Sequence, residues 1–301
     1  MEKVAAVKSM YKNVDHNLAK LIGLAGGTPV SSGDMLAIKI NMCDARPPET
    51  GTITHPIFLD ALLRYLRENY EDLNIYVVES DATVVLADEF IKWFGYMPVL
   101  ERWGAKWFNL SKDEIINTEI KGNFLKSVSV PKILKEAKLI SLSKLKTNSL
   151  SKITCSLKNQ FGCLPIRQKS IYHDHLSEVI VDANLAMKPV FSIVDGILAM
   201  GGARGPSFGT PIHANIILAG HDPVAVDSAC AKIIGYMPEK VKHIKLAEKC
   251  GLGSIKHKLT GDKISSIDFE IDKLTAVQSF VADKIKKIMR QSSRSKWKKK
   301  K

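Results

Sequence analysis

Short apolar runs alternate with amphipathic stretches along most of this chain. The runs that predict buried strands are residues 35–40, 74–78, 106–110, 139–142, 190–194 and 214–219. Apolar positions at helical spacing predict one helix that begins at Pro56 and four more that cover residues 86–94, 150–161, 178–187 and 224–234. Because strands that alternate with helices are typical of parallel sheets, we predict an α/β fold, with a mainly parallel sheet and flanking helices in a three-layer architecture.

The pattern contains no internal repeat and no obvious linker. We predict a single α/β domain over residues 1–285, with a weak boundary near 109–124, where the sequence becomes polar and irregular. Residues 286–301 form a basic tail, and runs of like charge are usually disordered and solvated. The alternative for this tail is a loose electrostatic contact with nucleic acid or an acidic surface.

Composition adds a charge bias to this picture. The 301 residues are 45% hydrophobic and 25% charged, which is ordinary for a globular protein and allows a core of normal size. The formal net charge is +13, so anionic partners are favoured, such as phosphates, carboxylates, nucleic acid or acidic lipids.

The cysteines and the apolar runs indicate a cytoplasmic protein. The chain has five widely spaced cysteines, Cys43, Cys155, Cys163, Cys230 and Cys250. It contains no CxxC pair, so the sequence does not indicate a zinc ribbon or an iron–sulfur cluster in cis. The first residues lack the apolar region of a signal peptide. No run approaches the roughly 18 apolar residues of a transmembrane segment.

Residues 139–172 contain six Lys or Arg and no Asp or Glu, which makes them the strongest functional signal in the chain. With a strand at 139–142 and a helix at 150–161, Thr147 and Asn148 would lie at a helix N-terminus, where free N–H groups attract anions. Lys144 and Lys146 would add charge, as would Lys158. We therefore predict an anion site, with the alternative that Asn148 only caps the helix and the lysines are solvated.

Polar side chains also follow the other predicted strands. In parallel sheets, ligands bind outside the carboxyl ends of the strands, so the residues at those ends are site candidates. For anion binding these are Lys39, Lys146, Thr147, Asn148, Asn159, Gly201, Gly202 and Arg204, and for catalysis Lys144, Lys158, Asp195 and Asp227. Because Mg²⁺ prefers a few carboxylates, a second hypothesis assigns Glu79, Asp81 and Asp195 to this metal.

Two of these assignments have ordinary alternatives. Gly201, Gly202 and Arg204 belong to a glycine-rich loop that lacks the usual nucleotide-binding spacing, so it is equally typical of a flexible surface loop. Asp227 falls inside an apolar helix, where a carboxylate needs a partner. We expect Lys144 or Lys158 to be that partner.

Several motifs together resemble the family catalogued as domain of unknown function 362. The run KLKTNSLSKITCSLKNQFGCLP resembles its lysine-rich signature, DGILAMGGARGPSFGTP its glycine loop and LAGHDPVAVDSACAKIIGY its DPVAVD helix. IKINMCD, THPIFLDALL and VVESD are similar to its first strand–helix–strand unit. The resemblance covers roughly residues 35–253.

The resemblance implies a site at these motifs but supplies no reaction. Some family members carry an appended ferredoxin-type iron–sulfur module, whose cysteine motif is missing here. The chain also has Asn148 where the family commonly has histidine, and asparagine keeps hydrogen bonding while losing proton transfer.

Three classes of function remain open at this point. The leading hypothesis is an enzyme or enzyme-like protein that binds a small anionic, phosphate- or carboxylate-bearing metabolite, with or without a divalent cation. The second is a nucleic-acid-binding protein that uses the basic segment and the tail, although no RNA- or DNA-binding signature is present. The third, suggested by the relatives, is an iron–sulfur-linked redox protein, which would need Cys43, Cys155, Cys163 and Cys230 to converge.

Overall fold

The computed structural model describes residues 1–202 and 209–271. Its strands are β1 Glu2–Lys8, β2 Met35–Lys39, β3 Asn74–Glu79, β4 Lys106–Asn109, β5 Ile115–Glu119, β6 Ser127–Pro131, β7 Lys138–Asn148, β8 Lys152–Thr154, β9 Phe191–Gly201, β10 Thr210–Ile212, β11 Ile216–Gly220 and β12 His257–Gly261. Its α-helices are α1 Val14–Ala25, α2 Pro56–Asn69, α3 Ala87–Trp93, α4 Met97–Trp103, α5 Ile133–Glu136, α6 Ser156–Phe161, α7 Leu176–Ala186, α8 Pro223–Ile234 and α9 Lys242–Lys249.

One ten-stranded sheet organises the described residues. Its main path is β12-β1-β11-β9-β7-β2-β3-β4, with β8 paired to β7 and β10 to β9. Along this path only β11 runs against its neighbours, since every other pair is parallel. The carboxyl ends of β1, β2, β3, β7 and β9 therefore lie at one edge of the sheet, which we call the site edge.

Helices cover both faces of this sheet. In β1, alternate residues belong to two separate apolar clusters, with Val4 and Ala6 in one and Ala5 and Val7 in the other. Helices α1 and α2 contribute to the second cluster, and α7 and α8 to the first. This arrangement confirms the predicted three-layer α/β fold, because strand side chains alternate between the two faces.

The predicted helix at residues 150–161 is wrong in its first half. Strand β7 continues to Asn148, turns, and pairs antiparallel with β8 before the six-residue α6 begins at Ser156. Pairing with β9 on one side explains the length of β7, since Lys144 and Lys146 both have cross-strand partners there. Thr147 and Asn148 consequently lie in a β-hairpin and not at a helix N-terminus.

The region near residues 109–124 contains a small hairpin of its own. Strands β5 and β6 pair antiparallel as a separate two-stranded sheet.

Strands β1 and β12 were not predicted from the sequence, and they pair in parallel at the edge of the main sheet.

Candidate functional site: a lysine cluster at the site edge

Lys144 and Asp195 form a buried ion pair in the middle of two adjacent strands, β7 and β9. They are direct cross-strand neighbours, and Lys144 Nζ lies 2.7 Å from Asp195 Oδ2 with both side chains fully buried. The hydroxyl of Tyr11, just after β1, donates to this carboxylate at 3.3 Å and accepts from Lys144 at 3.2 Å. The backbone N–H of His55 also donates to Asp195, at 3.1 Å. Four separated parts of the chain thus meet at one carboxylate.

Burial controls the protonation of the groups around this pair. Loss of hydration lowers the pKa of Lys144, while the charge of Asp195 and their hydrogen bond raise it. Burial and the Asp195 charge raise the pKa of Tyr11, so the phenol is neutral. Burial also lowers the pKa of His55, whose ring lies against Tyr11 with 4.2 Å between centroids. Two uncharged rings therefore flank the ion pair.

A second buried ion pair joins Lys39 at the end of β2 to Glu79 at the end of β3. The Nζ–Oε1 distance is 2.7 Å, and Lys39 also donates to the carbonyl of Ile40 at 2.7 Å. Backbone N–H groups of Met42 and Ser80 donate to the two Glu79 oxygens, at 2.9 Å each. Both Glu79 oxygens are therefore occupied by protein donors.

Asn159 on α6 ties these strands together. Its Nδ2 donates to the Lys39 carbonyl at 2.9 Å and to Ser141 Oγ at 3.1 Å, while its Oδ1 accepts from Asn41 at 3.3 Å. Close by, a Cβ on Gly162 would lie 2.9 Å from Lys39 Nζ and 3.3 Å from Glu79 Oε1. A side chain larger than glycine at this position would therefore press on the second ion pair.

Lys146 is fully buried but contacts no carboxylate. Its Nζ donates to Asn41 Oδ1 and to the Thr52 carbonyl, at 2.6 Å each, and to Cys43 Sγ at 3.1 Å. These three contacts use all three N–H groups of the ammonium. Lys146 can therefore act on a ligand through its charge, while Cys43 forms the exposed side of this group.

Lys158 and Lys169 complete the cluster. Burial lowers the pKa of each amine to about 8. Lys169 donates to Ser80 Oγ at 2.8 Å and to the Asp81 carbonyl at 2.6 Å. Lys158 is partly exposed, and no hydrogen bond or ion pair joins its Nζ to the described residues.

The cluster carries more positive than negative charge. Of its five lysines, Lys39 and Lys144 have ion pairs, with Glu79 and Asp195. None of the salt bridges between described residues, counted to 4.0 Å, includes one of the other three. The excess positive charge comes from three lysines: Lys146, Lys158 and Lys169. An uncompensated group of buried ammoniums favours an anionic partner.

The structure places Asp227 beside α6 and gives it neither of the expected lysine partners. Its carboxylate accepts from the backbone N–H groups of Ser156 at 2.7 Å and Leu157 at 3.2 Å. The first turn of α6 is therefore occupied by a side chain of the protein itself. The nearest basic group is His243, whose Nε2 lies 3.9 Å from Asp227 Oδ2. Burial raises the pKa of Asp227 to about 8 and lowers that of His243 to about 3.

Thr147 and Asn148 serve the hairpin and its neighbours. The Thr147 hydroxyl donates to the Gly202 carbonyl at 2.6 Å. The Asn148 side chain accepts from the backbone N–H of Leu150 at 3.1 Å and of Ser151 at 2.9 Å, which is the geometry of a turn former. The family position that commonly holds histidine is therefore a turn in this chain.

The glycine-rich loop is described only in part. Gly201 ends β9, and the N–H of Gly202 donates to the Phe269 carbonyl at 2.8 Å. Arg204 lies outside the described residues, as do the predicted tail and the end of the predicted domain.

The three carboxylates considered for Mg²⁺ each have other partners. Asp195 and Glu79 are the two ion-paired groups above, and Asp81 accepts from the N–H of Ala87 at 2.8 Å and from Asn109 at 3.2 Å. Within residues 1–202 and 209–271, no group of three or more His, Cys, Asp or Glu is placed to hold a metal ion. These contacts do not bring the three carboxylates together as a ligand set for Mg²⁺.

The cysteines considered for an iron–sulfur cluster are separated in the same way. Cys155 contacts Cys230, Cys163 donates to Gln160 Oε1 at 3.4 Å, and Cys43 lies against Lys146. These three environments do not form a four-cysteine ligand set.

Sequence reasoning missed Tyr11 and Lys169 as site residues. Tyr11 follows a strand that the sequence did not predict, and a predicted β1 would have placed it at the site edge. Lys169 lies in the acid-free segment, but no strand or helix end identified its position. Both are recognisable only from contacts between distant parts of the chain.

No helix among the described residues is long and apolar enough to cross a bilayer.

Among curated proteins, the thylakoid-associated protein sll1697 of Synechocystis sp. is 26% identical over 245 residues, covering 78% of this chain and 73% of that protein. Among solved structures, the lactate racemase apoprotein of Thermoanaerobacterium thermosaccharolyticum is 12% identical, with a TM-score of 0.48 and 78% of this chain covered. The chain spans 57% of that structure.

The sequence also matches a family model directly. The model is described as a domain of unknown function, DUF362, and the match covers residues 36–232. This range includes β2 to most of α8, and with them every lysine of the cluster. The chain belongs to the DUF362 family.

Proposed function

We propose that this protein binds a small phosphate- or carboxylate-bearing metabolite at the site edge, as an enzyme or enzyme-like protein. The observation that carries the proposal is the convergence of five lysines, of which three have no carboxylate partner among the described residues. A ligand with one or two negative charges would offset part of this excess.

The spare hydrogen-bond donors indicate where the anion would sit. Lys146 has used all its N–H groups, and Lys144 and Lys169 each retain one beyond their two donated bonds. Lys158 has three. Direct contact would therefore come mainly from Lys158, while Lys146 would contribute charge.

The burial of these lysines disfavours the nucleic-acid alternative for this segment. Lys144 and Lys146 are fully buried, and binding to a nucleic-acid backbone relies on ammonium groups that reach the surface. No observation on the described residues favours that alternative.

A thermal-shift titration tests the proposal. We expect inorganic phosphate or malonate to raise the Tm by about 2–5 °C near saturation, because a ligand that binds only the folded state stabilises it. Lys158→Met should lose at least half of this shift. Lys188→Met, which changes an exposed lysine outside the cluster, should retain it.

Sodium chloride at matched ionic strength separates binding from screening. An equal Tm rise with chloride, or an unchanged phosphate shift in Lys158→Met, would contradict the proposal.

A further inference from the structure

Lys158 differs from the other four lysines of the cluster in one respect. Lys39, Lys144, Lys146 and Lys169 each donate at least two hydrogen bonds to protein acceptors. Lys158 donates none to the described residues and is partly exposed. Its amine is thus the one among these five that a small ligand can reach without displacing a protein partner.

The surroundings of Lys158 favour the neutral, nucleophilic amine. Burial is the main cause of the lowered pKa of Lys158, and the charge of the Lys146 ammonium, which three hydrogen bonds hold in place, also disfavours protonation of Lys158. Cys43 acts in the opposite direction, and His243, which is neutral, is also close enough to interact with Lys158. With a pKa of about 8, roughly a fifth of this amine is unprotonated at pH 7.4, far more than for an ordinary lysine.

A free amine beside a fixed positive charge is the arrangement used to attack carbonyl groups of anions. The neutral amine supplies the electron pair, and the adjacent charge attracts the carboxylate and opposes reprotonation. An exposed lysine has neither advantage, since its amine is almost fully protonated at neutral pH.

We propose that Lys158 forms a Schiff base with an oxo acid, a small compound that carries a carbonyl group next to a carboxylate. This inference rests on the proposed function and names the substrate class of the same site. The amine nitrogen of Lys158 attacks the carbonyl carbon, a C=N bond replaces C=O, and the oxygen leaves as water with the two amine hydrogens. No electrons are gained or lost, and protonation of the imine by solvent gives the iminium ion.

Reductive trapping tests the inference on the full-length protein. We incubate it with glyoxylate and sodium cyanoborohydride at pH 7.4 and follow carboxymethylation of each lysine by peptide mass spectrometry. Cyanoborohydride supplies the hydride that fixes the imine as a stable secondary amine. We expect Lys158 to be labelled at least tenfold faster than exposed Lys188, and inorganic phosphate to slow labelling at Lys158 alone.

Equal labelling rates at Lys158 and Lys188 in the wild-type protein would overturn the inference, and this comparison needs no variant. Lys158→Arg keeps the charge but removes the nucleophile, so it should lose the fast label and retain part of the phosphate-induced Tm shift. Lys188→Arg should retain both. If phosphate stabilises the protein while Lys158 is labelled slowly, the Schiff base fails and anion binding stands. Failure of phosphate to stabilise the protein at all would instead remove the proposed function.

Discussion

At the scale of single residues, the packing of the lysine cluster depends on one glycine. Gly162 follows α6 and leaves room for the Lys39–Glu79 pair, since an added Cβ would lie 2.9 Å from Lys39 Nζ and 3.0 Å from the carbonyl of Asn159. Lys39 cannot easily move aside, because it donates to Ile40 and pairs with Glu79 at 2.7 Å. A methyl group here would separate two buried charges.

We therefore expect Gly162→Ala to lower the free energy of unfolding by about 1–3 kcal/mol, the usual cost of overpacking a dense core. Urea unfolding followed by circular dichroism measures this change. Gly23→Ala is the matched control, because nothing lies within 4 Å of its added Cβ inside helix α1. That control should gain up to about 1 kcal/mol, and an equally stable Gly162→Ala would show that the pair tolerates displacement.

At the scale of elements, helix α6 is held at its first turn by Asp227 of α8, and His243 of α9 lies beside this contact. Both ring nitrogens of His243 are buried without a hydrogen-bond partner among the described residues. Its folded pKa of about 3 lies below the ordinary 6.5, so the folded state holds the neutral ring. Its contribution to stability is complete above pH 6.5 and is lost as the pH falls towards 3.

The expected size of this acid effect is about 3 kcal/mol between pH 6.5 and pH 4. His243→Leu should remove that part of the pH dependence, measured by urea unfolding across this range. Lys158 also lowers the pKa of this ring, and Asp227 lies beside it. Protonation of Asp227, whose folded pKa is raised to about 8, increases the stability of the folded state as the pH falls and so opposes the effect of His243. His16→Gln, at an exposed position on α1, should keep the wild-type slope, and a wild-type slope in His243→Leu would contradict the assignment.

Elements with a clear hydrophobic period or local capping signals could be predicted from the sequence. Elements defined by strand pairing between residues far apart in the sequence could not. Helix α8 was predicted within one residue because Asp222 caps it ahead of Pro223, and both signals are local. By contrast, Lys144 and Lys146 continue strand β7 through pairing with β9, a partner about 50 residues away. The positive charge of the cluster could be predicted from the acid-free segment, but the burial of its lysines could not, because Asp195, Glu79 and Tyr11 come from other parts of the chain.

At the scale of the whole molecule, the sheet extends beyond the range that matches the family. The match covers residues 36–232, while β1 and β12 lie outside it and β1 pairs directly with β11. Residues Val4, Ala5 and Ala6 of β1 are fully buried. The central sheet is therefore incomplete without the N-terminal strand.

We expect a fragment of residues 36–232 to lack a cooperative thermal transition and to be cut rapidly by protease, because it leaves the β11 edge and the core under α1 uncovered. A fragment of residues 1–271 should melt cooperatively. The two can be compared by calorimetry and limited proteolysis. A cooperative melt of residues 36–232 would show that the matched range folds without these strands.

The contact between Asp227 and the first turn of α6 also couples the positions of two helices. Asp227 is part of α8, which packs against α9, whereas the following turn of α6 carries Lys158 and Asn159 towards the site edge. A shift of α8 would therefore also move the turn of α6 that carries Lys158. By thermodynamic reciprocity, any ligand that holds this turn of α6 would resist a shift of α8 by the same free energy.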